Sequence, residues 1–285
     1  MKLSVIILAR TTTDELFKMT CNCVNSLLAS ENNIEMEIII VESNKDFLQS
    51  DYKYLDCVSI IIPKLNFNFH KFLNIGIKAS TGDFIALCNN DLIFYKNWFS
   101  EILKVKEHYP AIKSFSPNGI LTDHPFTKSH VLGYKVRTHI MGWCIVATKD
   151  VFHRIKYLDE TFDFNYADND YAMTLKRLNI KHAVVNMSKV IHLAKNERNE
   201  KKFNVGRTYK DLQSKVNLNV NDLPDYIFLD DYKFLHCDNK SLEDNIKFHK
   251  KWGNPKIYYR RNKIADFLIK YNLGILNRYI LLKNI

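Results

Sequence analysis

The sequence contains no long hydrophobic segment. None of its apolar runs approaches the roughly 18 residues that a membrane-spanning helix needs. The apolar stretch 5–9 lies between Lys2 and Arg10, but it is shorter than the ~7–15 apolar residues of a secretory signal, so we interpret it as part of a first β-strand. With 285 residues and 46% apolar content, the composition is that of a soluble globular protein with a sizeable core.

Internal repeats, low-complexity segments and Cys-x-x-Cys pairs are also absent. The six cysteines show no regular spacing, and several lie inside apolar runs, where a free thiol packs as a small hydrophobic group. This pattern argues against a disulfide framework and indicates a reducing compartment. We therefore expect a cytoplasmic protein.

The positive charge is concentrated at one end of the chain. The formal net charge is +10, but ten Lys and Arg residues against the single Asp266 give residues 247–285 a charge of +9 by themselves. The nearly neutral remainder argues against a non-enzymatic nucleic-acid-binding protein. Because aromatic residues alternate with these cations, residues 247–285 suit peripheral contact with an anionic membrane, and a solvated helical appendage is the alternative.

Strand and helix signals alternate through the first ninety residues. Continuous apolar runs predict buried parallel strands, and apolar residues at helical spacing predict the helices between them. Strand–helix–strand units of this kind form right-handed crossovers. The sequence therefore predicts an α/β fold with a mainly parallel sheet flanked by helices. The predicted strands are 2–8, 37–41, 58–62 and 84–88, and the predicted helices are 14–28 and 67–78.

The rest of the chain is less regular. Residues 111–132 carry no clear pattern, and residues 195–240 are charged and irregular. We predict an α/β domain at residues 1–240, with halves at 1–95 and 96–195, and a basic aromatic helical tail at residues 241–285. The further predicted strands are 142–147 and 182–191, and the further predicted helices are 98–108, 150–155, 168–178 and 241–252.

Three polar residues follow the strand at 84–88. Asn89, Asn90 and Asp91 stand where that strand ends, and Glu42 ends strand 37–41 at the same edge. In open α/β sheets, ligands bind beyond the carboxyl ends of the strands. Oxygen ligands there suit Mg²⁺ or Mn²⁺ together with phosphate groups, so we predict a metal–phosphate site at Asp91. The alternative is a turn in which the Asn and Asp side chains bond their own backbone.

These features follow the order found in the family 2 glycosyltransferases of the GT-A fold, which residues 2–192 resemble. The resemblance implies an inverting, Mn²⁺- or Mg²⁺-dependent transfer of a sugar, with a UDP-sugar favoured as donor, to a glycan or lipid-linked saccharide in polysaccharide biosynthesis. Residues 1–95 would bind the donor and residues 96–195 the acceptor. The matching segments are Ser4–Ile7, Glu37–Asp46, Asn74–Ile77, Ser80–Asp83, Asn89–Asp91, Gly142–Ala147, Leu158–Glu160 and Asp168–Asp170.

The resemblance also implies roles for individual residues. Asp168 corresponds to the general base, with helix capping as its alternative role, and Asp91 corresponds to a metal ligand. His192 is a candidate second ligand, with a purely structural role at the strand end as the alternative, and an imidazole ligand would favour Mn²⁺. Trp143 and Asp170 are candidate acceptor-binding residues, with core packing as the alternative for the indole. The candidate donor-binding residues are Thr11, Glu42, Asn44, Asn74, Asn90 and Asp91.

Three positions depart from the family pattern. Glu42 stands in place of the usual Asp, Ala167 in place of the Glu before the base, and Asn89 in place of the first acidic residue of the Asp-x-Asp motif. The last departure leaves Asp91 as the one charged ligand of the motif, which predicts weaker metal binding. Nucleotidyltransferases share this kind of α/β half, but they open with a Gly-rich basic loop, and residues 10–13 contain no glycine.

Overall fold

The structure is a computed structural model, and it describes residues 1–120, 127–193 and 239–282. Strands and helices alternate along the first part, and helices follow at the end. The strands are β1 Lys2–Ala9, β2 Glu35–Glu42, β3 Val58–Ile61, β4 Phe84–Asn89, β5 Leu92–Phe94, β6 Ile112–Asn118, β7 His130–Leu132, β8 Cys144–Thr148 and β9 Lys181–His192. The helices are α1 Asp14–Ser30, α2 Phe69–Ala79, α3 Trp98–His108, α4 Lys149–Ile155, α5 Ala167–Arg177, α6 Asn239–Trp252, α7 Pro255–Lys270 and α8 Asn277–Ile280.

One sheet organises these elements, with strand order β3-β2-β1-β4-β8-β6-β9-β5 and with β7 paired to β9. Strands β1 to β4 are parallel, and Ile6 of β1 lies between Ile39 of β2 and Leu87 of β4. Strand β8 runs antiparallel to both β4 and β6, whereas β6 and β9 are parallel. The predicted mixed, mainly parallel α/β fold is confirmed, and the two predicted halves share a continuous sheet.

The two faces of the sheet carry separate cores, because successive side chains of a strand point to opposite faces. Val5 and Ile7 of β1 pack with α1 and α3 on one face. Ile6 and Leu8 pack with α2, α4 and α5 on the other face. Both faces of β1 are therefore buried, which is why this strand reads as one continuous apolar run.

The segment 111–132, which carries no clear sequence pattern, contains β6 and β7. Buried serines in β6 obscure the apolar pattern of a strand. Ser114 Oγ lies 2.8 Å from both Tyr171 Oη and His182 Nδ1, and Ser116 Oγ accepts a hydrogen bond from the Met141 N–H at 3.0 Å. These bonds satisfy hydroxyl groups that would be costly to bury alone.

The C-terminal helices form a small core with the segment that leads into α5. Phe248 and Trp252 of α6 are buried beside Phe162, Met173 and Ala265. Within the described ranges, no helix has the length and hydropathy that a bilayer crossing requires. The predicted irregular stretch 195–240 lies, up to residue 238, outside the described residues. Cysteines within the described ranges are free thiols, as predicted, and Cys237 lies outside those ranges.

Candidate functional site

Asp91 and His192 come together at the edge of the sheet. Strand β5 begins directly after Asp91 and pairs with the end of β9, so that Leu92 lies opposite His192. Asp91 Oδ2 is 3.1 Å from His192 Nε2, and the two side chains are 13% and 12% exposed. The Trp143 ring stacks on the imidazole with a centroid distance of 5.6 Å and an interplanar angle of 13°, which fixes the plane of the imidazole.

Asn89 completes this group. Its side-chain Nδ2 is 3.4 Å from His192 Nε2. Two ligand atoms about 2.1 Å from one octahedral ion stand roughly 3 Å apart, so the spacing of Asp91 and His192 fits a shared divalent cation. Among the described residues, no group of three His, Cys, Asp or Glu side chains could hold a metal. The site therefore offers few protein ligands, which fits an ion that takes further oxygen ligands from a diphosphate.

Asp168 and Asn89 line the same small recess. The recess has a volume of about 20 Å³, and its lining includes Asn89, Gly142, Asp168 and Tyr171. A Cβ atom at Gly142 would lie 2.9 Å from Asp168 Oδ2, so glycine leaves the room that this carboxylate occupies. Helix α5 starts after Tyr166, whose φ of 58° is left-handed. The structure thus places the predicted base and the Asn89–Asp91–His192 group on one site.

The surroundings of Asp168 favour its protonated form. Burial raises the pKa of Asp168, although the Asn169 N–H, which donates to Oδ1 at 2.9 Å, and the charge of Arg137 oppose the rise. Arg137 is exposed and has a left-handed φ of 64°. Arg137 was not predicted as a site residue, because it lies in a loop and no motif includes it.

Glu42 stands at the end of β2, where a donor-binding role is predicted. Its Oε1 accepts hydrogen bonds from the N–H groups of Thr11 at 3.0 Å and Asn44 at 2.7 Å. Glu42 is buried, and its Oε2 has no hydrogen-bond partner among the described residues. The carboxylate is thus held in one position and keeps one oxygen for a further donor group.

Thr11 and Asn44 shape this end of the sheet through their own side chains. Asn44 Nδ2 donates to the Thr11 carbonyl at 2.6 Å, and Thr11 Oγ1 lies 2.5 Å from Tyr54 Oη. Tyr54 stacks on Phe47 at 5.2 Å and was not predicted. Burial raises the pKa of Tyr54 to about 12, so the phenol stays neutral. A signal for Tyr54 was hard to find because it lies in a loop before β3.

Three predicted binding residues have other partners in the structure. Asn74 is 2% exposed, and its amide bonds the backbone of Leu158 in both directions, at 2.9 and 3.0 Å. Asn90 Nδ2 donates to Thr20 Oγ1 of α1 at 2.9 Å. Asp170, 3% exposed, accepts from Trp252 Nε1 and Lys251 Nζ. These amide and carboxylate groups thus have structural partners, and the donor and acceptor roles of the three residues stay predictions.

Comparisons with known proteins bear on the family and the fold. Residues 4–141 match the family model described as Glycosyl transferase family 2. A search of curated proteins finds no match. The matched segment runs from β1 through Met141, so it includes Glu42 and Asp91 but ends before Asp168 and His192.

Two similar solved structures show the fold. TarS 1-349 from S. aureus has a TM-score of 0.51 at 15% identity, over 67% of this chain and 59% of that chain. GalNAc-T7, crystallised with UDP, GalNAc and Mn²⁺, has a TM-score of 0.53 at 12% identity, over 67% of this chain and 43% of that chain. The chain thus spans less than two thirds of either structure. The likeness establishes the GT-A fold.

Proposed function

We propose that this chain transfers a sugar from a nucleotide-sugar donor to a saccharide acceptor with inversion at the anomeric carbon. The match of residues 4–141 to the family model described as Glycosyl transferase family 2 supports sugar transfer. UDP-sugars are the proposed donor class, because GalNAc-T7, which shares the fold, was crystallised with UDP. A glycan or a lipid-linked saccharide is the proposed acceptor, which places the reaction in polysaccharide biosynthesis.

A single observation carries this proposal. Two kinds of chemical group face one site: the Asp91–His192 pair, 3.1 Å apart, and the Asp168 carboxylate, which shares a recess with Asn89. Sugar transfer needs a counter-charge for the leaving diphosphate and a base for the attacking hydroxyl. The Asp91–His192 pair could supply the first requirement and Asp168 the second, and Asn89, which contacts His192 and lines the recess with Asp168, connects the two groups.

Asp91 and His192 are the proposed metal ligands, with the Asn89 amide beside them. When bound, Mn²⁺ or Mg²⁺ would offset the negative charge of the diphosphate. An imidazole ligand favours Mn²⁺ over Mg²⁺, and GalNAc-T7 was crystallised with Mn²⁺. Trp143 holds the imidazole plane by stacking, a positioning role that we propose in place of direct acceptor binding.

Asp168 is the proposed general base. As the acceptor oxygen bonds to the anomeric carbon of the donor, the bond from that carbon to the diphosphate oxygen breaks, and the hydroxyl proton passes to Asp168. Burial raises the pKa of this carboxylate, which makes it a stronger base for the acceptor proton. Glu42, whose Oε2 has no hydrogen-bond partner among the described residues, is proposed to bind the nucleobase.

Thermal-shift measurements with UDP-, GDP-, CMP- and dTDP-sugars, with and without Mn²⁺, test this function. One class of nucleotide sugar should stabilise the chain in a Mn²⁺-dependent way, by about 2.7 kcal/mol at 100 times Kd. Asp91→Ala should lose the Mn²⁺-dependent part. The control Asp56→Ala, which changes an exposed turn residue, should retain it. Stabilisation of the Asp91→Ala variant equal to wild type would contradict the metal assignment.

A further inference from the structure

A second cavity lies beside the candidate base. It has a volume of about 780 Å³ and is lined by α5, α7 and the loop 132–139. This volume is within the ~300–1,000 Å³ range of ligand pockets, whereas the recess at Asp168 holds about 20 Å³. The described residues therefore leave room for a sizeable ligand next to the site proposed for catalysis.

Helix α5 connects this cavity to Asp168. Asn169, Ala172, Met173 and Lys176 line the cavity, and their spacing of i, i+3, i+4 and i+7 places them on one face of the helix. This face begins one residue after Asp168, whose Oδ1 accepts the Asn169 N–H at 2.9 Å. A ligand that lies along this face would contact Asn169 in the first turn of α5, the residue directly after Asp168.

Helix α7 forms another wall of the cavity. Tyr258, Asn262, Asp266 and Ile269 line it from this side. Lys176 Nζ, at 7% side-chain exposure, joins the two helices by bonds to Asn262 Oδ1 at 2.6 Å and Asp266 Oδ1 at 2.5 Å. Because these contacts fix α5 against α7, the cavity is a formed feature of the fold.

The lining of the cavity has an excess of positive charge. Its charged side chains among the described residues are Lys135, Lys176, Lys181 and Asp266. Asp266 pairs with Lys176, while Lys135 and Lys181 are exposed. Burial lowers the pKa of His139, and the charges of Lys135 and Lys176 lower it further, so a neutral imidazole can both donate to and accept from hydroxyl groups.

The other polar groups suit a carbohydrate. The lining includes the side chains of Asn169, Asn179, Asn262 and Asn272, together with the Tyr134 and Tyr258 rings. Amides donate to and accept from hydroxyl groups, and aromatic rings offer rigid apolar faces. We propose that this cavity binds an acidic segment of the saccharide acceptor, one that carries phosphate or carboxylate groups, and directs its hydroxyl group to Asp168. This inference rests on the proposed function.

Calorimetric titration of the full chain with mannose 6-phosphate, digalacturonate and neutral maltose tests the cavity. At least one of the two acidic saccharides should bind wild type more tightly than maltose does. In the Lys135→Glu/Lys181→Glu variant that affinity should fall about tenfold or more, because bonds to charged donors are lost and replaced by repulsion. Lys96→Glu, a charge reversal at another exposed lysine outside the cavity, should bind like wild type. A phosphate-specific or a carboxylate-specific response identifies the acidic group.

Nucleotide binding separates this inference from the proposed function. The Lys135→Glu/Lys181→Glu variant should keep the Mn²⁺-dependent stabilisation by the nucleotide sugar, because both lysines lie outside the Asp91–His192 pair. The cavity proposal is overturned if neither acidic saccharide binds wild type, if maltose binds as tightly, or if the double variant binds like Lys96→Glu. If wild type binds none of the nucleotide sugars, the proposed function is overturned instead.

Discussion

Among the single residues of the candidate site, Asp168 has a carboxylate that is both tightly enclosed and shifted in pKa. Its carboxylate fills the space that Gly142 leaves, and burial raises its pKa. A carboxylate at a helix start can also serve merely to cap the helix. A substitution of Asp168 distinguishes the two roles, because only the loss of a general base slows the chemical step.

We predict that Asp168→Asn lowers kcat by about 10²–10⁴-fold, the usual contribution of a general base. The amide keeps the size of the side chain but cannot accept the acceptor proton. Steady-state assays of sugar transfer give the rate, and thermal shift with the donor should show unchanged donor binding. A variant with wild-type kcat would remove Asp168 from the mechanism.

Asp150→Asn is the matched control, because Asp150 also stands in the first turn of a helix, α4. Its carboxylate pairs with Lys113 at 2.6 Å and is 47% exposed, so the change removes a helix-start carboxylate away from the recess. We expect wild-type transfer rates from this variant. Equal losses in both variants would indicate that helix-start stabilisation, rather than proton transfer, explains the Asp168→Asn result.

The raised pKa of Asp168 predicts a specific pH dependence. A general base acts when it is deprotonated, so kcat should increase with pH through the pKa of Asp168 in the enzyme–substrate complex. Because burial raises that pKa above the ordinary value of 3.8 for aspartate, the acidic limb should have a midpoint above 3.8. A pH–rate profile measures this midpoint. A rate that stays constant below pH 4 would contradict the assignment.

At the scale of elements, helix α6 holds the segment that leads into α5. Lys251 Nζ lies 2.5 Å from Asp159 Oδ2 and 2.6 Å from Asp170 Oδ1, with 12% of its side chain exposed. Asp244 Oδ2 accepts the Asn165 N–H at 3.0 Å. Helix α6 thus bonds to residues that precede Asp168 in the sequence and to one that follows it. The helix itself lies more than 60 residues further along the chain.

We predict that Lys251→Met lowers the free energy of unfolding by about 3–5 kcal/mol, because it leaves the buried carboxylate of Asp170 without its cation. Urea denaturation gives this value. Lys240→Met, an exposed position on the same helix, should change stability by less than about 0.5 kcal/mol.

The double variant Lys251→Met/Asp170→Asn sharpens this test. It should recover most of the lost stability, because a neutral amide needs no counter-charge and can still accept from Trp252 Nε1. Additive losses in the double variant would show that the Lys251–Asp170 pair does not explain the effect.

At the scale of the whole molecule, helix α7 presents an apolar stripe to solvent. Ile257, Ile264, Phe267 and Tyr271 are between 39% and 57% exposed, and their spacing places them on one helix face. The opposite face lines the 780 Å³ cavity. Exposed apolar residues flanked by cations are typical of helices that lie on anionic membranes, and we propose this contact for residues 247–285.

We predict that Phe267→Ser/Tyr271→Ser reduces binding to anionic vesicles, because burial of the two rings in the interface contributes about 1.5–3 kcal/mol each. Co-sedimentation with phosphatidylglycerol-containing and neutral vesicles measures the change. Leu48→Ser, which removes a side chain that is 80% exposed elsewhere, should bind like wild type. Wild-type chain that stays in solution with anionic vesicles would contradict membrane contact.

The sequence predicted strands and helices well where burial of apolar side chains alone sets the residue pattern. Buried strands such as β1 and β4 are apolar on both faces, so their positions follow from composition alone. Strand β6 was missed because bonded serines replace apolar residues in it. The contacts of Asp170 were not predicted, because its partner Lys251 lies 81 residues further along the chain.

The amino-acid sequence was sufficient to predict the α/β class, the order of strands and helices around β4, and the family resemblance that singled out Asp91 and Asp168. These features depend on short-range patterns of apolar and polar residues. The three-dimensional structure was needed to show that His192 contacts Asp91, that α6 bonds to the segment around Asp168, and that α5 and α7 line a cavity. Each of these depends on strand pairing or helix packing between distant segments, and the local pattern carries no information about such contacts.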